Sequence, residues 1–315
     1  MVPPGPRGRG VAAAVTAGRP TRRTESNPRR ELLPGQSEAL LRELHLVGRD
    51  GKLHADTLRK LKQVNHLAQL LAPALADVLA RHPCAVLLDA GAGNAYLGFI
   101  LYELFLREGD ATLWSVETRP ELVERARERA ARLGFTRMRF ANAPLEALAG
   151  ADPATSGAQT DESAIPERLH LVTALHACDT ATDDALALAV RRNADHIAVV
   201  PCCQAEVAAQ LKAQKGAAAQ EPWPLLWAHP LHRREAGAHL TNVVRALALE
   251  ASGYQVTVTE LTGWEHSLKN ELILARRVHR EHRGARERLR QLLAATGVRP
   301  RIVGQLALDL PGARL

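Results

Sequence analysis

The stretch Leu87-Leu88-Asp89-Ala90-Gly91-Ala92-Gly93-Asn94-Ala95-Tyr96-Leu97-Gly98 decides how this chain is read. Ala85 to Leu88 is a short apolar run, which predicts a buried strand. It stops at Asp89 and two closely spaced glycines, and the run Tyr96 to Leu106 then reads as a helix. A strand that turns through glycines into a helix leaves bare backbone N–H groups at the helix start. Gly91 and Gly93 lack a Cβ, so a ligand can touch the main chain there, and a helix N-terminus favours a carboxylate or phosphate.

Outward from that turn the alternation repeats. Strands are predicted at Thr112 to Glu117, Met138 to Ala141, Leu169 to Leu175 and His196 to Val200. Helical spacing covers Pro120 to Leu133, Asp183 to Arg192 and Ala205 to Lys212, with a polar loop from Gly150 to Pro166. An irregular segment carrying Trp223, Trp227, His229 and His232 leads to a helix at Ala238 to Ala251. Two last strands follow, Tyr254 to Glu260 and Glu271 to Val278. Strand and helix in alternation mean a parallel sheet with helices on both faces. Only a loop separates the last two strands, so they pair antiparallel. The fold class is α/β: a Rossmann-like seven-stranded sheet with an antiparallel last strand.

Four segments are expected. Residues 1–36, rich in Pro, Gly, Ala and Arg, read as a disordered basic arm. Residues 37–80 carry helices at Ser37 to Leu46 and Thr57 to Leu79 that cover one end of the cleft. Residues 81–279 form the cofactor-binding domain, and 280–315 a charged helix (Glu281 to Ala295) with a short tail.

Composition excludes some classes and favours others. No apolar run approaches the length of a bilayer span, and no charged-then-apolar leader opens the chain. Cys84, Cys178, Cys202 and Cys203 show no disulfide framework and no CxxC pair, so a reducing cytoplasm is expected. A metal site is not: adjacent cysteines are an unusual ligand spacing. The formal net charge of +7 comes largely from arginine. It suits an anionic partner such as RNA, although codon bias explains arginine equally well.

Two ligand readings compete for the glycine turn. A G-x-G-x-x-G dinucleotide fingerprint needs a third glycine where Tyr96 stands. What remains, Asp-x-Gly-x-Gly, resembles motif I of the class I S-adenosylmethionine (SAM) methyltransferases. The resemblance implies that Gly91, Gly93 and Asn94 back the methionine part of SAM. It also implies that Asp89 helps hold the amino group, directly or through water. The next strand should end in an acid that takes both ribose hydroxyls, and Glu117 closes that strand. A plainer role for Glu117 is to cap the helix at Pro120. Asn142, after the third strand, stands where this fold often presents an adenine-binding side chain. An antiparallel finish to the sheet is a mark of the same superfamily.

Ligands in such sheets collect beyond the carboxyl ends of the strands. After the fourth strand stands His176-Ala177-Cys178-Asp179-Thr180-Ala181-Thr182-Asp183, and after the fifth Pro201-Cys202-Cys203. These segments resemble a narrower branch, which includes tRNA 2′-O-methyltransferases. The resemblance implies methyl transfer to RNA, tRNA among the candidates. His176 is the natural base, placed beside the cofactor, and Asp179 or Asp183 could orient it. As alternatives, His176 caps the next helix and Asp183 is its first-turn acid. Cys202 or Cys203 stands where RNA cytosine-5 methyltransferases place a nucleophile, although paired cysteines in a turn are more often structural. Arg233 and Arg234, with Lys269 and Asn270, could line the substrate mouth, where arginine beside tryptophan can hold a phosphate and stack a base. The tryptophans read equally well as core anchors. Other acceptors stay open, a protein or a small molecule, as does a SAM-binding scaffold without turnover.

Overall fold

The computed structural model describes residues 32–47, 55–150, 165–175, 177, 179–202, 204–213, 223–261 and 271–308. The first 31 residues of the expected basic arm, His176, Cys178, Cys203, Lys269 and Asn270 lie outside the described residues. In chain order the elements are α1 (Glu38–Glu43), α2 (Ala55–Arg81), β1 (Val86–Ala90), α3 (Tyr96–Leu101), β2 (Thr112–Glu117), α4 (Pro120–Leu133), β3 (Met138–Asn142) and α5 (Leu145–Gly150). There follow β4 (Leu171–Leu175), α6 (Thr180–Arg191), β5 (His196–Val200), α7 (Glu206–Ala213), α8 (Pro230–Ala251), β6 (Tyr254–Glu260), β7 (Glu271–Arg277), α9 (Arg283–Thr296) and α10 (Arg301–Gln305).

The strands form one seven-stranded sheet in the order β3-β2-β1-β4-β5-β7-β6. β7 runs antiparallel to both β5 and β6, and the first five strands are parallel. Side chains alternate between two apolar layers. Leu88, Ala90, Val172 and Val199 face a core shared with α6, α8 and α9. Leu87, Leu113, Leu171 and Val200 face a second core under α1, α2, α3 and α4. The order changes direction between β1 and β4, which opens a crevice at the carboxyl ends of those strands.

Most boundaries shift by a residue or two from the sequence reading, and four differences have a physical reason visible in the structure. The predicted strand at Leu169 starts two residues later, because the His170 ring already accepts the Val86 N–H at 2.9 Å. α6 begins at Thr180 rather than Asp183, since Asp179 turns the chain with φ 48° and the Thr182 hydroxyl donates to the Ala177 carbonyl. The helix after the first glycine turn loosens into a π-helical segment at Tyr102–Leu106. There Glu103 is buried and accepts from the Ser37 N–H and hydroxyl, tying the N-terminal residues to the sheet layer. The largest difference is α8, which starts at Pro230 and takes in His232, Arg233 and Arg234. Its first turns carry exposed polar residues with no apolar stripe, so helical periodicity is invisible there, while proline is well placed at the first helical position.

Candidate functional site

The glycine turn folds tightly. Gly91, Gly93 and Ala95 have φ of 65°, 56° and 55°, and the Ala92 N–H bonds the Val116 carbonyl. A Cβ on Gly91 would lie 3.7 Å from the Ala177 Cβ. The loop after β1 therefore packs against the loop after β4, at the crevice. Asn94 is exposed on this turn.

Asp89 faces inward instead of into the cleft. It sits in register with Ser115 on β2 and Thr173 on β4, on the sheet face under α3. The Thr173 hydroxyl donates to its carboxylate at 3.1 Å. Gly98 lies directly above: a Cβ there would stand 3.1 Å from the Ser115 hydroxyl and 3.3 Å from the carboxylate. This third glycine of the opening stretch is thus a packing residue that lets α3 rest on a buried polar row. Burial pushes the Asp89 carboxyl up to about 7, against the opposing pull of the Thr173 hydroxyl and the Gly98 N–H.

Glu117 at the tip of β2 is bonded on both oxygens. Oε2 accepts the Gly93 N–H at 2.8 Å, which joins the tip of β2 to the glycine turn. Oε1 accepts the N–H groups of Thr118 and Arg119, both at 3.1 Å. The Arg119 guanidinium adds Nε to Oε1 at 3.0 Å and Nη2 to Oε2 at 3.4 Å. Burial raises the carboxyl, but the Arg119 and Gly93 donors outweigh it and hold Glu117 below the usual glutamate value. It is therefore ionised, as a diol acceptor must be. The exposed Asn142 stands beside it, its amide donating to the Glu117 carbonyl at 3.0 Å.

The tips of β4, β5 and β7 are joined by a buried polar network. Arg245 of α8, fully buried, donates to Asp183 at 2.7 Å, to Asn242 at 3.1 Å and to the Asp179 carbonyl at 2.8 Å. Asn242 in turn donates to Glu271 at the start of β7. The Asp179 carboxylate accepts the Ala205 N–H at 2.9 Å and so caps α7. Asp179 and Asp183 are thus each committed to a neighbouring element. Cys202 is half-buried just beyond β5 and forms no disulfide.

The substrate-side arginines have local partners. Arg233 donates to the Trp227 carbonyl at 3.3 Å, and Arg234 bonds Glu235 at 2.9 Å. Trp227 is buried in the core, in keeping with the anchor reading. Two buried arginines escaped the sequence reading. One is Arg245; the other is Arg129 on α4, which donates to the Asn94 carbonyl at 3.4 Å and lies over the Phe99 ring. Each occupies its helix's buried stripe, with Leu122 and Ala126 before Arg129 and Thr241 before Arg245. A cation at such a position was the available signal.

At the amino end of the sheet, His82, His170 and Asp195 bring metal-ligand atoms within 4.8 Å of one another. Those atoms are spent inside the protein. His170 Nδ1 accepts the Val86 N–H, so the proton of the neutral ring sits on Nε2. Both Asp195 oxygens take Arg168. No helix among the described residues is long and apolar enough to cross a membrane.

Residues 59–210 match a family model described as a methyltransferase domain. With the sheet order above, that match defines the class: an S-adenosylmethionine-dependent methyltransferase. Among solved structures the chain is similar to an rRNA methylase from Streptococcus thermophilus, at 12% identity and TM-score 0.41 over 67% of this chain and 95% of that one. It is also similar to the Podospora anserina methyltransferase PaMTH1 bound to SAH (S-adenosylhomocysteine), at 14% and 0.41 over 78% and 90%. A Geobacter sulfurreducens methyltransferase gives 15% and 0.40 over 80% and 95%. No curated protein matches the chain.

Proposed function

We propose that this methyltransferase acts on RNA, and that its cofactor lies across the tips of β1 and β2. The observation that carries the cofactor placement is the 2.8 Å bond between the Gly93 N–H and Glu117, which sets a glycine turn and an ionised carboxylate side by side. The residues fit the group: Gly91 and Gly93 lack the Cβ atoms that would crowd it, and Glu117 offers two acceptor oxygens for a ribose diol. Asn142 borders the adenine end. When bound, SAM supplies an electrophilic methyl group.

The chain's own residues align the acceptor and exclude water from it. His176, in the loop after β4, is the candidate base for a hydroxyl or protonated nitrogen. Asp179 and Asp183 hold that loop through α7 and Arg245. Cys202, half-buried just beyond β5, shapes the floor there. An RNA acceptor is supported by the formal net charge of +7. tRNA is the first RNA to test, on the resemblance of the two strand-tip segments.

Glu117→Ala will reduce SAH affinity at least about 100-fold, the scale of two lost charge-assisted hydrogen bonds. Calorimetry that finds unchanged binding removes Glu117 from the site. Tritiated SAM offered to RNA, protein and metabolite fractions will label the RNA fraction. Label in the protein or metabolite fraction instead reassigns the acceptor, and SAH binding without label anywhere indicates a scaffold.

A further inference from the structure

The donors around Glu117 are backbone N–H groups, the short Thr118 hydroxyl, which donates to Oε1 at 3.2 Å, and the Arg119 guanidinium. The N–H groups of Gly93, Thr118 and Arg119 belong to the backbone and stay in place. The Arg119 guanidinium is the end of a long side chain, 58% exposed, whereas the Glu117 side chain is 9% exposed. Nε and Nη2 reach one carboxylate oxygen each, as a fork. Nη2 also lies 3.8 Å from the point a Cβ on Gly93 would occupy. The guanidinium therefore lies over the bare glycine and covers the open side of the carboxylate.

A ribose diol approaches that carboxylate with the same pattern, two donors aimed at two oxygens. Both forks cannot be seated at once. We propose that Arg119 is a built-in competitor of the cofactor's ribose, which must swing off Glu117 before the cofactor seats and thereby lowers the affinity of the site. The inference rests on the reading that Glu117 holds the ribose. Displacing the guanidinium costs little, because it is exposed and water takes over its hydrogen bonds. The backbone donors keep Glu117 oriented and ionised while the exchange occurs.

This competition has a salt signature. Added salt screens an exposed ion pair, and SAH carries no net charge whose own attraction salt would weaken. Calorimetry with SAH on the full chain, from low to high salt, reads it directly. The wild-type chain is expected to bind SAH more tightly as salt rises. Arg119→Ala is expected to bind about two- to fivefold more tightly at low salt, the range of an exposed ion pair, and to lose the salt response. Arg119→Lys keeps the charge without the fork and falls between the two. Equal or weaker binding by Arg119→Ala, or an undiminished salt response, overturns the proposal. Glu117→Gln separates the two levels. If it leaves SAH affinity unchanged, the ribose reading itself fails. If it weakens binding tenfold or more while Arg119→Ala gives no gain, only the competition fails.

Discussion

Arg245→Met will lower the stability of the chain by about 3–5 kcal/mol. The methionine fills most of the space, so the loss is electrostatic. Asp183 would keep a buried carboxyl without its cation, and the Asp179 carbonyl and the Asn242 amide oxygen would each lose a donor. Burial already holds Asp183 above the usual aspartate value in spite of Arg245. Without the guanidinium it rises further, so the variant is hurt more at pH 8 than at pH 5. Urea unfolding at the two pH values measures both effects. Adding Asp183→Asn to Arg245→Met should restore part of the stability, because the uncompensated charge is gone. A loss under about 1 kcal/mol, or no recovery in the double variant, would show that the network does not hold the strand tips together.

Asp89→Asn has the opposite sign. The folded chain holds this carboxyl at about 7, against a usual value of 3.8. Between those values the folded state binds more protons than the unfolded one, so the wild-type chain loses stability as pH rises from about 4 to 7. Asparagine has no such titration. Its amide oxygen can accept the Gly98 N–H, and its NH₂ can donate to the Thr173 hydroxyl. The variant should match the wild-type chain near pH 4 and exceed it above pH 7 by up to about 4 kcal/mol, the full linkage value of the shift. Parallel stability profiles for the two proteins would show that Asp89 titrates normally.

These two sites mark where sequence reasoning reaches and where it stops. The parallel sheet and the antiparallel pairing of the last two strands followed from alternation and from the short link between those strands, whereas the lateral order, with β7 between β5 and β6, is set by the tertiary structure. Asp89, Gly91, Gly93 and Glu117 were legible because a turn of this kind needs its residue types at fixed spacing. The inward aim of Asp89 was not, since it depends on which sheet face α3 covers. Arg233 and Arg234 were legible as candidates for the substrate mouth, but not their partners, a carbonyl from the turn before the helix and the adjacent Glu235. Arg245 and Asp183 stand 62 positions apart, and no local pattern announces that they meet.

By itself the sequence determined the α/β alternation, the glycine turn and the carboxylate one strand further on, because each is set by neighbours along the chain. Only the tertiary structure decided the partners of the buried charges: Asp89 on Thr173, Asp183 on Arg245 and Glu117 on the Gly93 N–H. An ionisable group takes its character from whatever surrounds it in space. Most of those surroundings arrive from distant parts of the chain only when the sheet closes.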